Sequence, residues 1–376
     1  MIHFIKNKFL GSEEQKMKFV HIADMHFDSP FTNLVTENHL GEARRLEQRR
    51  ILKKIIDYIK ENKIEYFFIA GDLFEQKYVR RSTVDYMIQL FQEIPNTKIF
   101  ITPGNHDPLL KNSFYATIDW GKNVIIFGGE IERIEENNID IYGLGFTDFY
   151  MEKSPVENIE IKNKEKINIL ITHASLNASD KLEKLYQPIS ENKMEKLNFD
   201  YIALGHIHKK WDNQNEKNRI LYPGSTISLG FDEPGEHGMI VGEIEKNKTK
   251  IEFIPLDETY FEERELDISG INSEEELIEK INEIKIQKNK FIKIILIGKR
   301  KFEIQKNKIL KLIENKNILK IKNNTKLNYE LEELAKENNV KGIFVRNMLK
   351  KLEENIDQKE EIEKAIEIGL EIILNQ

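Results

Sequence analysis

With 376 residues, 57 Lys or Arg against 64 Asp or Glu and a net charge of −7, the chain is long enough for two domains. Its composition, 40% hydrophobic and 32% charged, excludes a disordered chain. It has no cysteine, which excludes disulfides, thiolate zinc sites and a cysteine nucleophile, so any bound metal must use oxygen and imidazole.

No apolar run approaches the roughly 20 residues that span a bilayer, and the longest, Phe291 to Gly298, is interrupted by Lys293. A soluble, cytoplasmic protein is expected. The opening MIHFIKNKFLGSEEQK lacks the apolar core and cleavage site of a secretory signal, whereas Met17 begins a cleaner start, MKFVHIAD. Residues 1–16 therefore read as translated upstream sequence.

In chain order, the pattern predicts a strand at KFVHIA, a long helix near Arg44 to Lys60, a strand at EYFFIA, a helix from about Ser82 and a strand at KIFIT. Strands at INILIT and YIALG come next, and Gly238 to Leu256 reads as a hairpin that closes the first domain near Pro255. Apolar strands alternating with helix-period segments imply sheets buried between helices. Arg44, Arg45, Arg49, Arg50, Lys53 and Lys54 on the first long helix read as a solvated surface.

The residues just after each strand carry the chemistry. The five strands lead into Asp24-Met25-His26, Gly71-Asp72, Gly104-Asn105-His106-Asp107, His173, and His206-Ile207-His208. Ligands of open α/β sheets collect at the carboxyl ends of strands, so these side chains are expected to converge on one cleft. A lone histidine after a strand is usually a hydrogen-bonded core or loop residue. Here five of the nine histidines fall at such ends, in order.

Downstream, residues 285–326 hold fourteen Lys or Arg against two Glu, with a strand-like FIKIILIG and a helix-like KNKILKLIENK, suggesting a basic α+β module. Lys299, Arg300 and Lys301 within it are candidate DNA contacts, since phosphate binding depends on accumulated positive charge; a solvated lysine face is the competing reading. Two helical stripes end the chain: Val345, Met348, Leu349, Leu352 and Ile356, then Ile362, Ile366, Leu370 and Ile373. Asp357 and Glu360 between them have capping-box spacing. No internal repeat is present.

The motifs DMH, GD, GNHD, THA and GHIH, complete and in order, resemble the calcineurin-like metallophosphoesterase superfamily over roughly Lys18 to Leu256. The resemblance implies an α/β (α+β) fold, a two-layer β-sandwich flanked by helices, with a small C-terminal α+β cap and terminal helices. It implies domains at 17–256 (metallophosphoesterase), 257–329 (basic cap) and 330–376 (partner-binding helices). It further implies that Asp24, His26, Asp72 and His208 hold one divalent metal while Asp72, Asn105, His173 and His206 hold a second.

A carboxylate shared between two dications about 3.5–4 Å apart offsets their repulsion. His206 and His208, two apart on an extended segment, point the same way. His106 resembles the family's non-ligand imidazole, which stabilises the transition state or protonates the leaving oxygen. Asp107 is expected to orient it or to hold the turn. Mixed N and O ligands with an amide suit manganese, with iron or zinc as alternatives.

DMHFDSPF, AGDLFEQK, TPGNHD and YPGS look like SbcD-type DNA repair exonucleases, with DSPF closest to the YhaO-like branch. That likeness implies a DNA substrate, a coiled-coil SMC-like ATPase partner for the C-terminal helices, and a homodimer. The chain departs from many members by carrying Glu75, where they have histidine three residues after the bridging aspartate. The protein phosphatase signature is absent, since Asp72 is followed by LFEQ. Two rival functions remain: a phosphodiesterase of nucleotides or other small esters, and a largely non-catalytic scaffold at DNA ends.

Overall fold

A computed structural model describes residues 16–31, 40–136, 138–179, 181–210, 219–246, 248–327 and 331–374. Residues 1–15, nearly all of the stretch read as upstream sequence, lie outside them. The chain divides after Tyr260 into two compact units.

The first unit holds β1 (Met17–Ile22), α1 (Leu40–Asn62), β2 (Tyr66–Ile69), α2 (Arg81–Gln92), β3 (Lys98–Ile101), α3 (Phe114–Thr117), β4 (Val124–Ile126), β5 (Glu132–Glu135) and β6 (Ile139–Leu144). It continues with β7 (Ile167–His173), β8 (Ser175–Leu176), β9 (Pro188–Ile189), α4 (Glu191–Lys196), β10 (Tyr201–Gly205), β11 (Ile220–Leu221), β12 (Gly238–Glu245) and β13 (Lys248–Pro255). Two sheets form, in the orders β13-β12-β1-β2-β3-β4 and β11-β10-β7-β6-β5. Strands β1 to β4 run parallel, as do β6, β7, β10 and β11.

The period of two along each strand explains the layering. In β1, Phe19 faces the second sheet and joins Phe68, Phe100, Ile141, Ile169, Ile171, Tyr201 and Ala203 in the layer between the sheets. Val20 and Ile22 face the other way, with Phe67, Ile69, Ile99 and Ile101, against Ile51, Leu52, Ile55, Ile56 and Ile59 of α1 and Val84, Met87 and Phe91 of α2. On the outer face of the second sheet, Tyr142, Leu144, Leu170, Ile202 and Leu204 pack with Met194 and Phe199. The result is the two-layer β-sandwich flanked by helices.

Polar side chains also enter this core, His21 and Arg44 among them. His21 is fully buried between the sheets, its Nδ1 2.9 Å from the Tyr201 hydroxyl and its Nε2 3.2 Å from the Leu204 carbonyl. Arg44 corrects the reading of α1 as wholly solvated: it is buried and paired with Asp257, while Arg49 reaches Asp28 at 3.0 Å.

The second unit contains β14 (Tyr260–Asp267, which begins at the division), α5 (Glu274–Asn282), β15 (Lys290–Ile297), β16 (Lys299–Arg300), α6 (Lys306–Leu312), β17 (Ile318–Asn323), β18 (Lys326–Leu327), α7 (Leu331–Leu334), α8 (Val340–Glu354) and α9 (Lys359–Leu374). Sheet β14-β15-β17 packs Ile292, Ile294, Leu296 and Ile321 against Leu277 and Ile281 of α5 and Ile309 of α6. A separate apolar cluster joins Val345 of α8 to Ile362, Ile366 and Leu370 of α9, with Met348, Leu349 and Leu352 beside it. Asp357 sits in a 3-10 turn running directly into α9; the side chains of Ile356 and Glu360 lie outside the described residues, as does the boundary expected at 329–330.

Candidate metal centre

Five strands deliver their carboxyl ends to one place. Asp24 and His26 follow β1, Asp72 follows β2, Asn105 and His106 follow β3, His173 ends β7, and His206 and His208 follow β10. The backbone there is held in an unusual state. Asp24, His26, Asp72 and His206 have φ of 51°, 46°, 52° and 107°, a left-handed region that costs non-glycine residues energy and clusters at functional sites. Two glycines permit the close approach: a Cβ at Gly71 would run into the His173 ring, and one at Gly104 into the Asp72 carboxylate.

Asp24, His26, Asp72, Asn105 and His173 are buried, and His206 and His208 are half-buried. Asp72 Oδ2 lies 3.7 Å from His26 Nε2 and 3.3 Å from His173 Nε2, so one carboxylate oxygen stands between imidazoles from two strands. Its other oxygen accepts the His106 backbone N–H at 2.8 Å. Asn105 Oδ1 is 3.0 Å from His173 Nε2, and the His206 ring lies 5.2 Å from that of His173. Asp24 accepts the His206 backbone N–H and sits 3.9 Å from His208 Nε2.

The opposite nitrogens decide what this geometry can hold. His26 Nδ1 meets Glu75 at 2.8 Å, His208 Nδ1 meets Glu233 at 2.5 Å, and His173 Nδ1 meets the Ala70 carbonyl at 2.9 Å. Each partner is an acceptor, so each Nδ1 donates to it and each Nε2 faces inward, where it offers a lone pair once its own proton is displaced, the arrangement by which outer carboxylates and carbonyls orient metal-binding imidazoles. Ligand atoms of Asp24, His26 and His208, and likewise of Asp24, Asp72 and His173, lie within 4.8 Å of one another. His26 Nε2 and His208 Nε2 are 3.0 Å apart, close enough for one cation to bind both in place of the proton between them. The donor set fits divalent cations.

Protonation tells the same story. Burial disfavours imidazolium at His173, yet the charge and hydrogen bond of Asp72 outweigh it and raise the group to about 9. At His208 burial is likewise overcome, by Glu233 and Asp24, again to about 9. Burial also works against ionisation of Asp72, but His173, His26 and His106 hold it well below the usual carboxylate range. The cluster thus gathers protons to balance its carboxylates, and these are the protons that a bound metal displaces.

His106 stands beside this cluster, its ring 4.7 Å from that of His26 and its Nδ1 3.0 Å from Glu75 Oε2. Burial opposes its charge, but Glu75 and then Asp72 raise it to about 9. Asp107 does not orient this ring. Its carboxylate accepts the backbone N–H of Gly104 at 2.7 Å and of Leu73 at 2.7 Å and the Tyr115 hydroxyl at 2.7 Å, so it ties the turn after β3 to the turn after β2. The carboxylate on His106 is Glu75, which sequence reasoning marks only as a departure. Glu233 carries no sequence signal at all; its other oxygen accepts Leu229 N–H at 2.9 Å and Ser225 Oγ–H at 3.1 Å. Lys299 and Lys301 are exposed and Arg300 half-buried, all in the second unit, with Lys299 and Arg300 on β16.

A sandwich whose strand ends gather aspartate, asparagine and histidine with inward Nε2 atoms defines a metal-dependent phosphoester hydrolase. The calcineurin-like phosphoesterase model matches residues 17–210, and the chain belongs to that family, whose members bind a dimetal centre. Among curated relatives, it is 24% identical over 267 residues to the uncharacterized metallophosphoesterase YhaO of Bacillus subtilis (strain 168), covering 67% of this chain and 64%, just under two thirds, of that protein. It is 24% identical over 305 residues to the SbcD nuclease subunit of Staphylococcus saprophyticus, covering 73% of this chain and 76% of that one. Structural comparison also returns TT1561 of Thermus thermophilus (TM-score 0.36, 9% identity, 64% of this chain and 99% of that one). A dimetal phosphatase from Danio rerio gives TM-score 0.32 and 12% identity over 63% of this chain and 95% of that one.

Proposed function

We propose that the chain is a two-metal phosphodiesterase acting on DNA, an exonuclease subunit in repair that works beside an SMC-like ATPase. The observation that carries the proposal is Asp72, one oxygen between His26 and His173, with the rings of His26, His173 and His208 all turned Nε2-inward. In this reading Asp24, His26, Asp72 and His208 hold one ion, and Asp72, Asn105, His173 and His206 the other, with manganese the best match to the mixed donors. The bound pair would supply Lewis acidity and an activated water. His106, held by Glu75, gives a proton to the departing oxygen.

Likeness to a nuclease subunit supports DNA as substrate. The whole second-unit sheet domain is less basic than residues 285–326 alone. Over 261–327, sixteen Lys or Arg stand against eleven Asp or Glu, a net of +5. Lys290, Lys293 and Lys308 pair with Glu262, Glu263 and Glu274 on β14 and α5. That pairing favours keeping a second reading with the same centre, hydrolysis of small nucleotide diesters.

Purified full-length chain is expected to release nucleotides from linear DNA with Mn2+, and Asp72→Ala and His106→Ala to lose at least about 100-fold, the size of a general-acid contribution. Turnover of small diesters without DNA cleavage would move the assignment to the second reading. DNA binding without any hydrolysis would leave a scaffold.

A further inference from the structure

A row of aromatic rings leads away from His206, and the chemistry at the metal centre makes no use of it. The Tyr186 ring lies 5.0 Å from His206, and the Tyr150 ring lies 6.1 Å from Tyr186 at an interplanar angle of 29°. Tyr150 is 59% exposed and its neighbour Phe149 44%, so two adjacent aromatics face water although Tyr201, Tyr222 and Phe146 of the same unit are buried. Contiguous exposed apolar surface rimmed by polar groups is the kind that serves as a ligand-binding groove.

The row is also built firmly. Met151 N–H donates to the Leu185 carbonyl at 2.8 Å and Gln187 N–H to the Met151 carbonyl at 2.6 Å, joining the two tyrosine-bearing segments. The buried Gln187 amide donates to Thr172 Oγ1 at 2.9 Å, and Thr172 immediately precedes His173 on β7. The tyrosines are therefore registered to the same strand that carries a candidate ligand.

We propose that Tyr150 and Tyr186 form a stacking subsite for the nucleoside that remains on the phosphate during hydrolysis; the inference rests on the phosphodiesterase reading and specifies its substrate side. His106 adjoins His26, whereas Tyr186 adjoins His206, beside His173. In the reaction a water oxygen bonds to phosphorus and loses a proton to solvent, while the opposite P–O bond breaks and its oxygen takes the His106 proton. The group leaving beside His106 is thus not the group at the tyrosines. The retained ester substituent stays at the tyrosines, and a flat aromatic surface selects a nucleobase there without reading its identity.

The test uses full-length chain with Mn2+ and two diesters sharing one leaving group, thymidine 5′-(p-nitrophenyl phosphate) and methyl p-nitrophenyl phosphate. The wild type is expected to favour the nucleoside ester in kcat/KM by about tenfold or more, as stacking of one base implies. Tyr150→Ala should bring that ratio close to one, and Tyr150→Phe should retain it. In the row Tyr150 meets Tyr186 rather than His206, so a mere prop for that histidine would leave the ratio unchanged in Tyr150→Ala. A wild-type ratio near one, or a ratio that Tyr150→Ala does not move, overturns the subsite while phosphodiesterase activity stands. If neither ester nor linear DNA is hydrolysed, the functional reading fails; if only the esters resist, that reading stands, and in both cases calorimetry decides the subsite by itself: tighter binding of thymidine 5′-monophosphate than of inorganic phosphate, lost in Tyr150→Ala, supports it, and equal binding overturns it.

Discussion

Glu75 joins two jobs in one side chain, with one oxygen on His26 and the other on His106. Burial alone would favour its neutral form, but those two imidazoles draw it down to about 2. It is a positioning residue, since it acts through both rings. Glu75→Gln is expected to lower turnover by about 10–100-fold, the range seen when an outer partner of a metal-binding imidazole is lost. The loss should be larger for an alkoxide leaving group than for p-nitrophenolate, which needs little protonation. Equal losses on both esters would show that only the His26 contact matters. Nearly all of the candidate centre is legible in the chain, because each member directly follows an apolar strand. Glu75 and Glu233 are not, since their importance lies in which ring they meet across 31 and 25 residues.

Strand β1 shows how the layers constrain titration. His21 occupies an inward position among aromatic and aliphatic side chains, and burial pushes it from 6.5 down to about 3 against the pull of the Leu204 carbonyl. It is neutral in the folded protein and protonates in the unfolded chain below pH 6.5. The unfolded state therefore binds more protons between pH 6.5 and 3, and stability falls as pH drops through that window. The loss is on the order of 4 kcal/mol if no other group intervenes. His21→Gln, which keeps a hydrogen-bonding group without the titration, should flatten the melting temperature between pH 6.5 and 4; an unchanged slope would assign acid sensitivity elsewhere. The strands legible in sequence are those where apolar residues run together, as in β1, β2, β3, β7 and β10, or flank a polar turn, as in the β12–β13 hairpin. Strands β4, β5 and β6 are not, because β4 spans three residues, β5 is charged at three of its four positions, and β6 carries Asp140, buried beside Arg133 and Lys166.

All seven candidate ligands, with Glu75 and Glu233, lie before Tyr260, within the first compact unit. A chain ending at Tyr260 is therefore expected to keep its stabilisation by Mn2+, about 2.7 kcal/mol at a hundredfold excess over the dissociation constant, measured as a rise in melting temperature that EDTA reverses. Loss of that rise on truncation would place part of the centre in the second unit. If the second unit holds DNA by phosphate contacts, its removal should also flatten the dependence of DNA affinity on salt. The basic module is legible as a count of lysines along the chain but not as a surface. Glu262, Glu263 and Glu274 precede the block in sequence and sit against it in space.

Four of the seven candidate ligand side chains leave a backbone that winds the wrong way for an L-residue. Copying their identities onto another protein would carry over the donors without the torsions that aim them. Anyone grafting this centre elsewhere must transplant the whole loops, neighbouring glycines included, and a directed library that varies the loops while keeping the histidines should yield mostly inert clones.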